Sequence, residues 1–118
     1  MKKHILYSFR RCPYAIRARW AIRESLVKVE LREVDLKNKP VDLIKNSQNK
    51  TVPLLILKNG EIIEESLDII LWTLSNSKKS DLKKYFPNNL KEEILNIIRE
   101  NDKEFKFHLD RFKYASRF

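Results

Sequence analysis

One cysteine in 118 residues leaves no partner for an internal disulfide, which speaks against an oxidised, secreted scaffold. No apolar run approaches the roughly 20 residues needed to span a bilayer. The opening Met1-Lys2-Lys3-His4-Ile5-Leu6-Tyr7-Ser8 is basic, but its apolar run is too short for a signal peptide, so a soluble, reducing, cytoplasmic setting is expected. Internal repeats and low-complexity tracts are missing too. His4 and His108 have no partners at metal or triad spacing, so no metal centre is expected and both read as structural. The length fits one average domain, or one small domain with an appended piece.

Positive charge is what the chain has in excess. Twenty-five Lys and Arg against sixteen Asp and Glu leave a formal charge of +9, which raises nucleic acid as a partner. The basic residues are spread along the chain, however, with Lys78-Lys79 and Lys83-Lys84 as the tight clusters outside 10–23, and no nucleic-acid motif accompanies them. The abundance of Lys, Asn and Ile has the character of a whole-genome compositional bias. Nucleic acid is therefore not expected as the main ligand.

The cysteine itself stands in a narrow context, Arg10-Arg11-Cys12-Pro13-Tyr14-Ala15, between a short apolar strand and a helix with no acidic residue before Glu24. A helix N-terminus and two arginines supply the positive potential that a nucleophilic sulfur needs. Pro13 suits the first helical turn, where its missing N–H is unpaired anyway. The commoner fate of a free cysteine, a small buried hydrophobe, is the competing reading.

Along the chain, 3–9 reads as a strand and 13–26 as a helix. Val27, Val29 and Leu31 alternate with Lys28, Glu30 and Arg32 as in a half-buried strand, and 40–44 fits a short helix. The apolar run 52–57 has strand length, and Asn59-Gly60 is a hairpin signal leading into a strand at 61–64. Ser66 can cap a helix reaching about Leu74, with Leu67, Ile70, Leu71 and Leu74 on one face. This βαβαββα order predicts an α/β domain with a single mixed four-stranded sheet and helices on both faces. The stretch 76–89, rich in Ser, Lys and Asn, reads as a linker. Leu90 to Leu109 then reads as an amphipathic helix whose apolar face carries Ile94, Leu95, Ile97, Ile98 and Phe105.

Residues 5–75 resemble the thioredoxin-fold N-terminal domain of the glutathione transferase superfamily, and Cys12-Pro13-Tyr14-Ala15 is similar to the motif of its cysteine-type, glutaredoxin-like members such as the omega class. Leu36-Lys37-Asn38-Lys39-Pro40 resembles the segment that places a lysine over the glutathione glycine carboxylate, so the resemblance implies that role for Lys39. Val52-Pro53 resembles the Val-cis-Pro turn that pairs with the cysteinyl unit, and Glu65-Ser66 the pair that holds the γ-glutamyl end. Glu100-Asn101-Asp102 and the segment 105–118 look like the first helix of the all-helical second domain of bacterial relatives. The organisation implied is a thioredoxin-like glutathione-binding domain over 1–75, a linker over 76–89 and the truncated start of a helical domain over 90–118.

Glutathione carries two carboxylates and one amine, so a cation at one end and a helix N-terminus with a carboxylate at the other complement it. A cis proline presents the backbone of the preceding residue to an extended peptide, as an added strand would meet it. Each part also has an ordinary reading: Lys39 as a solvated lysine, Pro53 as the start of an edge strand, Glu65-Ser66 as helix capping, Tyr14 as a packed first-turn aromatic.

The resemblance implies monothiol chemistry with glutathione as cosubstrate. Cys12 would attack a glutathione mixed disulfide, or another glutathione-bound electrophile, and a second glutathione would release it. Ala15 stands where dithiol glutaredoxins have their second cysteine, and Tyr14 would wall the site. A homodimer is expected, without membrane association. Three rivals remain: Tyr7 as the activating hydroxyl of tyrosine-type transferases; a non-catalytic interaction module similar to the stringent starvation protein; and an iron–sulfur carrier, against which Pro13 counts. Full transferases continue well beyond this length as helices that supply most of the second-substrate pocket. The apolar face of the last helix is accordingly expected to self-associate or to pack on the first domain.

Overall fold

In the computed structural model, which describes residues 3–48, 50–78 and 91–113, alternation along the strands sorts side chains onto two faces of one sheet. The elements are β1 (His4–Ser8), α1 (Pro13–Ser25), β2 (Val29–Glu33), α2 (Val41–Asn46), β3 (Leu54–Ile56), β4 (Ile62–Ile63), α3 (Ser66–Asn76) and α4 (Lys91–Lys113). The strands lie in the order β2-β1-β3-β4. β1 pairs parallel with β2, placing Tyr7 beside Arg32, and antiparallel with β3, placing Tyr7 beside Leu54. β3 and β4 are antiparallel. This is the thioredoxin-like βαβαββα arrangement with a helical segment after it.

Because side chains alternate along a strand, neighbouring residues enter different cores. Leu6, Leu55 and Leu57 pack with Ala18 of α1 and Ile69 of α3 on one face. Tyr7 and Leu54 pack with Val34 and with Leu43 of α2 on the other. Ala15, Ala18 and Ala21, at 0%, 0% and 1% exposure, make the inner face of α1 small enough for close approach. The hairpin between β3 and β4 is closed by the Gly60 N–H to the Leu57 carbonyl at 2.8 Å, and Gly60 has φ +95°, a left-handed conformation that glycine adopts without strain.

Three local expectations are corrected. The buried face of α3 is Ser66, Leu67, Ile69 and Thr73, with Ile70, Leu71 and Leu74 only half-buried. Small polar residues fit the close contact with α1, and the Thr73 hydroxyl satisfies itself by donating to the Ile70 carbonyl at 2.7 Å. The residue in the N-cap position of α3 is Glu65, not Ser66, and it makes no side-chain cap hydrogen bond. In β2, Leu31 is 54% exposed because β2 is an edge strand with a face open to solvent.

The chain divides into two units, Met1–Leu82 and Lys83–Phe118. Within the second, α4 carries Ile97, Phe105 and Phe107 exposed, and Glu100 pairs with Lys103 at 3.8 Å one turn on. Leu90, most of the expected linker, the side chain of Leu109 and the end of the 105–118 segment lie outside the described residues.

Candidate thiol site

The carboxyl end of β1 leads into α1 through a tight connection. The Cys12 N–H donates to the Phe9 carbonyl at 3.0 Å, and the Arg10 N–H donates to Glu33 Oε2 at 2.9 Å, tying the connection to the end of β2. Arg19, two turns into α1, reaches back: its guanidinium donates to the buried Ser8 hydroxyl, to the Phe9 carbonyl at 3.2 Å and to the Arg10 carbonyl at 3.0 Å.

Cys12 occupies the N-cap of α1, with φ −77° and ψ 120°, and Pro13 opens the helix. Its sulfur accepts the Ala15 N–H at 3.5 Å, and its thiol donates to the Val52 carbonyl at 3.8 Å. The Val52-Pro53 peptide bond is cis. Cys12 is a free, half-buried thiol, and the first turn of α1 contains no carboxylate. The N-terminus of α1 and the cis Val52-Pro53 turn thus flank one sulfur.

The amino end of α3 is joined to this region through α1. Arg17 Nε donates to the Ser66 hydroxyl at 2.9 Å, and the Arg17 guanidinium lies 5.4 Å from the centre of the Tyr14 ring. Ser66 is 4% exposed, whereas Glu65 beside it is open to solvent. Cys12, Tyr14, Val52, Pro53, Glu65 and Ser66 therefore share one end of the sheet. Lys39 is held differently: its ammonium donates to the Lys50 carbonyl at 2.8 Å, bracing the loop that leads to Val52.

Tyr7 is buried in the α2-side core with its hydroxyl between two charged groups. It donates to Asp42 Oδ2 at 3.5 Å and accepts from Arg32 Nη1 at 3.4 Å. Hydrogen bonding to Glu30, then to Tyr7, holds the Arg32 guanidinium above its ordinary value. Among the described residues, no group of three or more His, Cys, Asp or Glu is placed to hold a metal ion.

Sequence reasoning missed Arg17 and Arg19. The three-residue spacing from Tyr14 to Arg17 on a helix was the available signal for the first. Nothing in the sequence marks Arg19 as the residue that reaches the end of β1.

The glutathione S-transferase N-terminal domain family matches residues 6–80. Glutathione S-transferase U22 of Arabidopsis thaliana is 40% identical over 67 residues, which cover 56% of this chain and 30% of that protein. Rice GST1, solved in complex with glutathione, is 34% identical, with a TM-score of 0.55 over 64% of this chain and 33% of that one. A glutathione transferase homologue from Sulfitobacter with bound glutathione covers 100% of this chain and 57% of its own, at a TM-score of 0.79 and 18% identity, a likeness of fold. The chain belongs to the glutathione S-transferase family. It spans less than a third of the length of the curated relatives it matches.

Proposed function

We propose that this chain binds glutathione and works as a cysteine-type, monothiol member of the family. The observation that carries this reading is the Cys12 sulfur at the N-cap of α1, 3.8 Å from the carbonyl of Val52 before a cis proline. An extended tripeptide laid along Val52 as an added strand would bring its own sulfur beside Cys12. Ser66 and Glu65 would take the γ-glutamyl end, Lys39 the glycine carboxylate on leaving the Lys50 carbonyl, and Tyr14 one wall. The domain organisation proposed is that of the resemblance, with the glutathione site in 1–75.

In the reaction, the Cys12 thiolate attacks the glutathione sulfur of a mixed disulfide. The new bond is Cys12–S–S–glutathione, and the other thiol leaves with the electron pair and takes a proton. A second glutathione thiolate attacks the glutathione sulfur bound to Cys12, releasing glutathione disulfide and regenerating Cys12. No other oxidant or reductant is needed. The Ala15 N–H, which donates to the Cys12 sulfur, is placed to stabilise it as attacking and leaving group.

Cys12→Ala and Tyr7→Phe, assayed separately for glutathione-dependent reduction of a mixed disulfide, test the assignment. Activity is expected to vanish in the first and persist in the second. Persistence in Cys12→Ala with loss in Tyr7→Phe would overturn it. If both variants match the wild type while glutathione still binds, the chain is a binding module. Such a role would be of the stringent-starvation-protein kind.

A further inference from the structure

At the other end of the sheet from Cys12, the starts of β1 and β2 and the end of β3 enclose a cleft of about 540 Å³ lined by Lys3, His4, Val27, Lys28, Val29, Glu30 and Lys58. Its size is that of a small-molecule site. We propose that this cleft binds a phosphate monoester, with Lys28, Lys58 and His4 on the phosphate and Val27 and Val29 against the organic body.

Three lysines against one glutamate leave the lining with two net positive charges. The one acid is engaged: the Glu30 carboxylate pairs with Arg32 at 2.6 Å and with Lys3 at 3.9 Å. Among the described residues no carboxylate pairs with the ammonium of Lys28 or Lys58. These two cations therefore face the cleft uncompensated.

His4 adds a donor to the lining. Its Nδ1 accepts the Lys58 backbone N–H at 3.1 Å, so the proton of the neutral ring sits on Nε2. That N–H has no acceptor among the described residues. The ring packs T-shaped with Trp72, with centroids 4.9 Å apart and planes at 76°. Burial, then the Lys58 charge, keep the ring below its ordinary value and so neutral.

A phosphate monoester brings close to two negative charges and three acceptor oxygens near neutral pH, which matches two ammoniums and one N–H. A single carboxylate would leave donors unused. The cleft is larger than a bare phosphate requires, and its valines offer an apolar wall to the rest of the molecule.

Adenosine monophosphate is the probe, followed by calorimetry on the full chain. It is expected to bind where adenosine does not, with affinity falling about tenfold or more in the Lys28→Ala/Lys58→Ala double variant, since those two charges carry the contact. Lys37→Ala/Lys45→Ala, which removes the same charge elsewhere, is expected to bind as the wild type does. In the wild-type protein, the His4 Nε2 resonance should shift on addition of the nucleotide, a readout independent of any variant's folding. Absence of binding, equal loss in both double variants, an unmoved His4 resonance, or succinate binding as tightly as adenosine monophosphate would each overturn the proposal.

Discussion

Arg17 Nε donates to the hydroxyl of Ser66 at 2.9 Å, a direct link between the second turn of α1 and the first residue of α3. Ser66 is almost wholly buried, so the bond forms with little competition from water. A double-mutant cycle with Arg17→Ala and Ser66→Ala, read by urea unfolding, is expected to give a coupling of about 1–2 kcal/mol, the range for a hydrogen bond from a charged donor. Additive effects would mean that the two helices are not joined here.

Arg19 donates to Ser8, Phe9 and Arg10 at once. Its planar fork suits several acceptors, and an ammonium cannot span them. Arg19→Ala is expected to cost about 2 kcal/mol, the loss of two or three bonds of about 1 kcal/mol each. Arg19→Lys should recover less than half of that. Thermal unfolding of the three proteins side by side checks the order.

The contribution of His4 to the pH dependence of stability has a definite sign. Burial first, then the Lys58 ammonium, lower its proton affinity in the folded state, and protonation at Nδ1 would remove the acceptor of the Lys58 N–H. Lys3, Lys28 and Glu30 line the same space, and Trp72 packs against the ring. The unfolded chain takes up a proton near the ordinary value of 6.5, which the fold resists. This contribution is therefore fully present above that pH, is lost as pH falls through it, and levels off once the folded-state value has been passed. Urea midpoints between pH 8 and pH 5 should fall less steeply in His4→Gln than in the wild type.

Leu26 ends α1 in the left-handed region, with φ 60° and ψ 14°, and is 71% exposed. A branched apolar side chain there is strained by its Cβ and gains little from burial. Leu26→Gly is expected to raise stability by about 0.5–1 kcal/mol. A loss of stability in urea would show that the side chain packs in solution.

How far the sequence could be read depended on the kind of interaction involved. Alternating and continuous apolar runs disclosed the strands, and Asn59-Gly60 disclosed the hairpin, because both signals are local. Cys12 at the start of α1 was legible for the same reason, since Pro13 and the absence of nearby acids mark the helix N-terminus. The buried face of α3 was not legible. Ser66 and Thr73 are buried because α3 packs closely on α1, whose buried face is alanine-rich, and because each hydroxyl has a partner; the packing and the Arg17 bond to Ser66 are tertiary, and only the Thr73 bond to Ile70 is local. Arg17 and Arg19 were hidden by composition: in a chain with so many cations, two that serve buried acceptors look like any others. Lys39 was picked out by its motif, but its bond to Lys50 depends on where the loop before Val52 runs.

The outer edge of β2 bears on association of another kind. Its sequence Val29-Glu30-Leu31-Arg32-Glu33 sets three charged side chains along the free rim of the sheet, two of them paired with one another at 2.6 Å. A strand adding there would have to bury or displace that pair, which guards the rim against fibre growth. The other rim is β4, only two residues long, too short to template a partner. The sheet is thus protected against runaway strand addition by charge on one side and by brevity on the other.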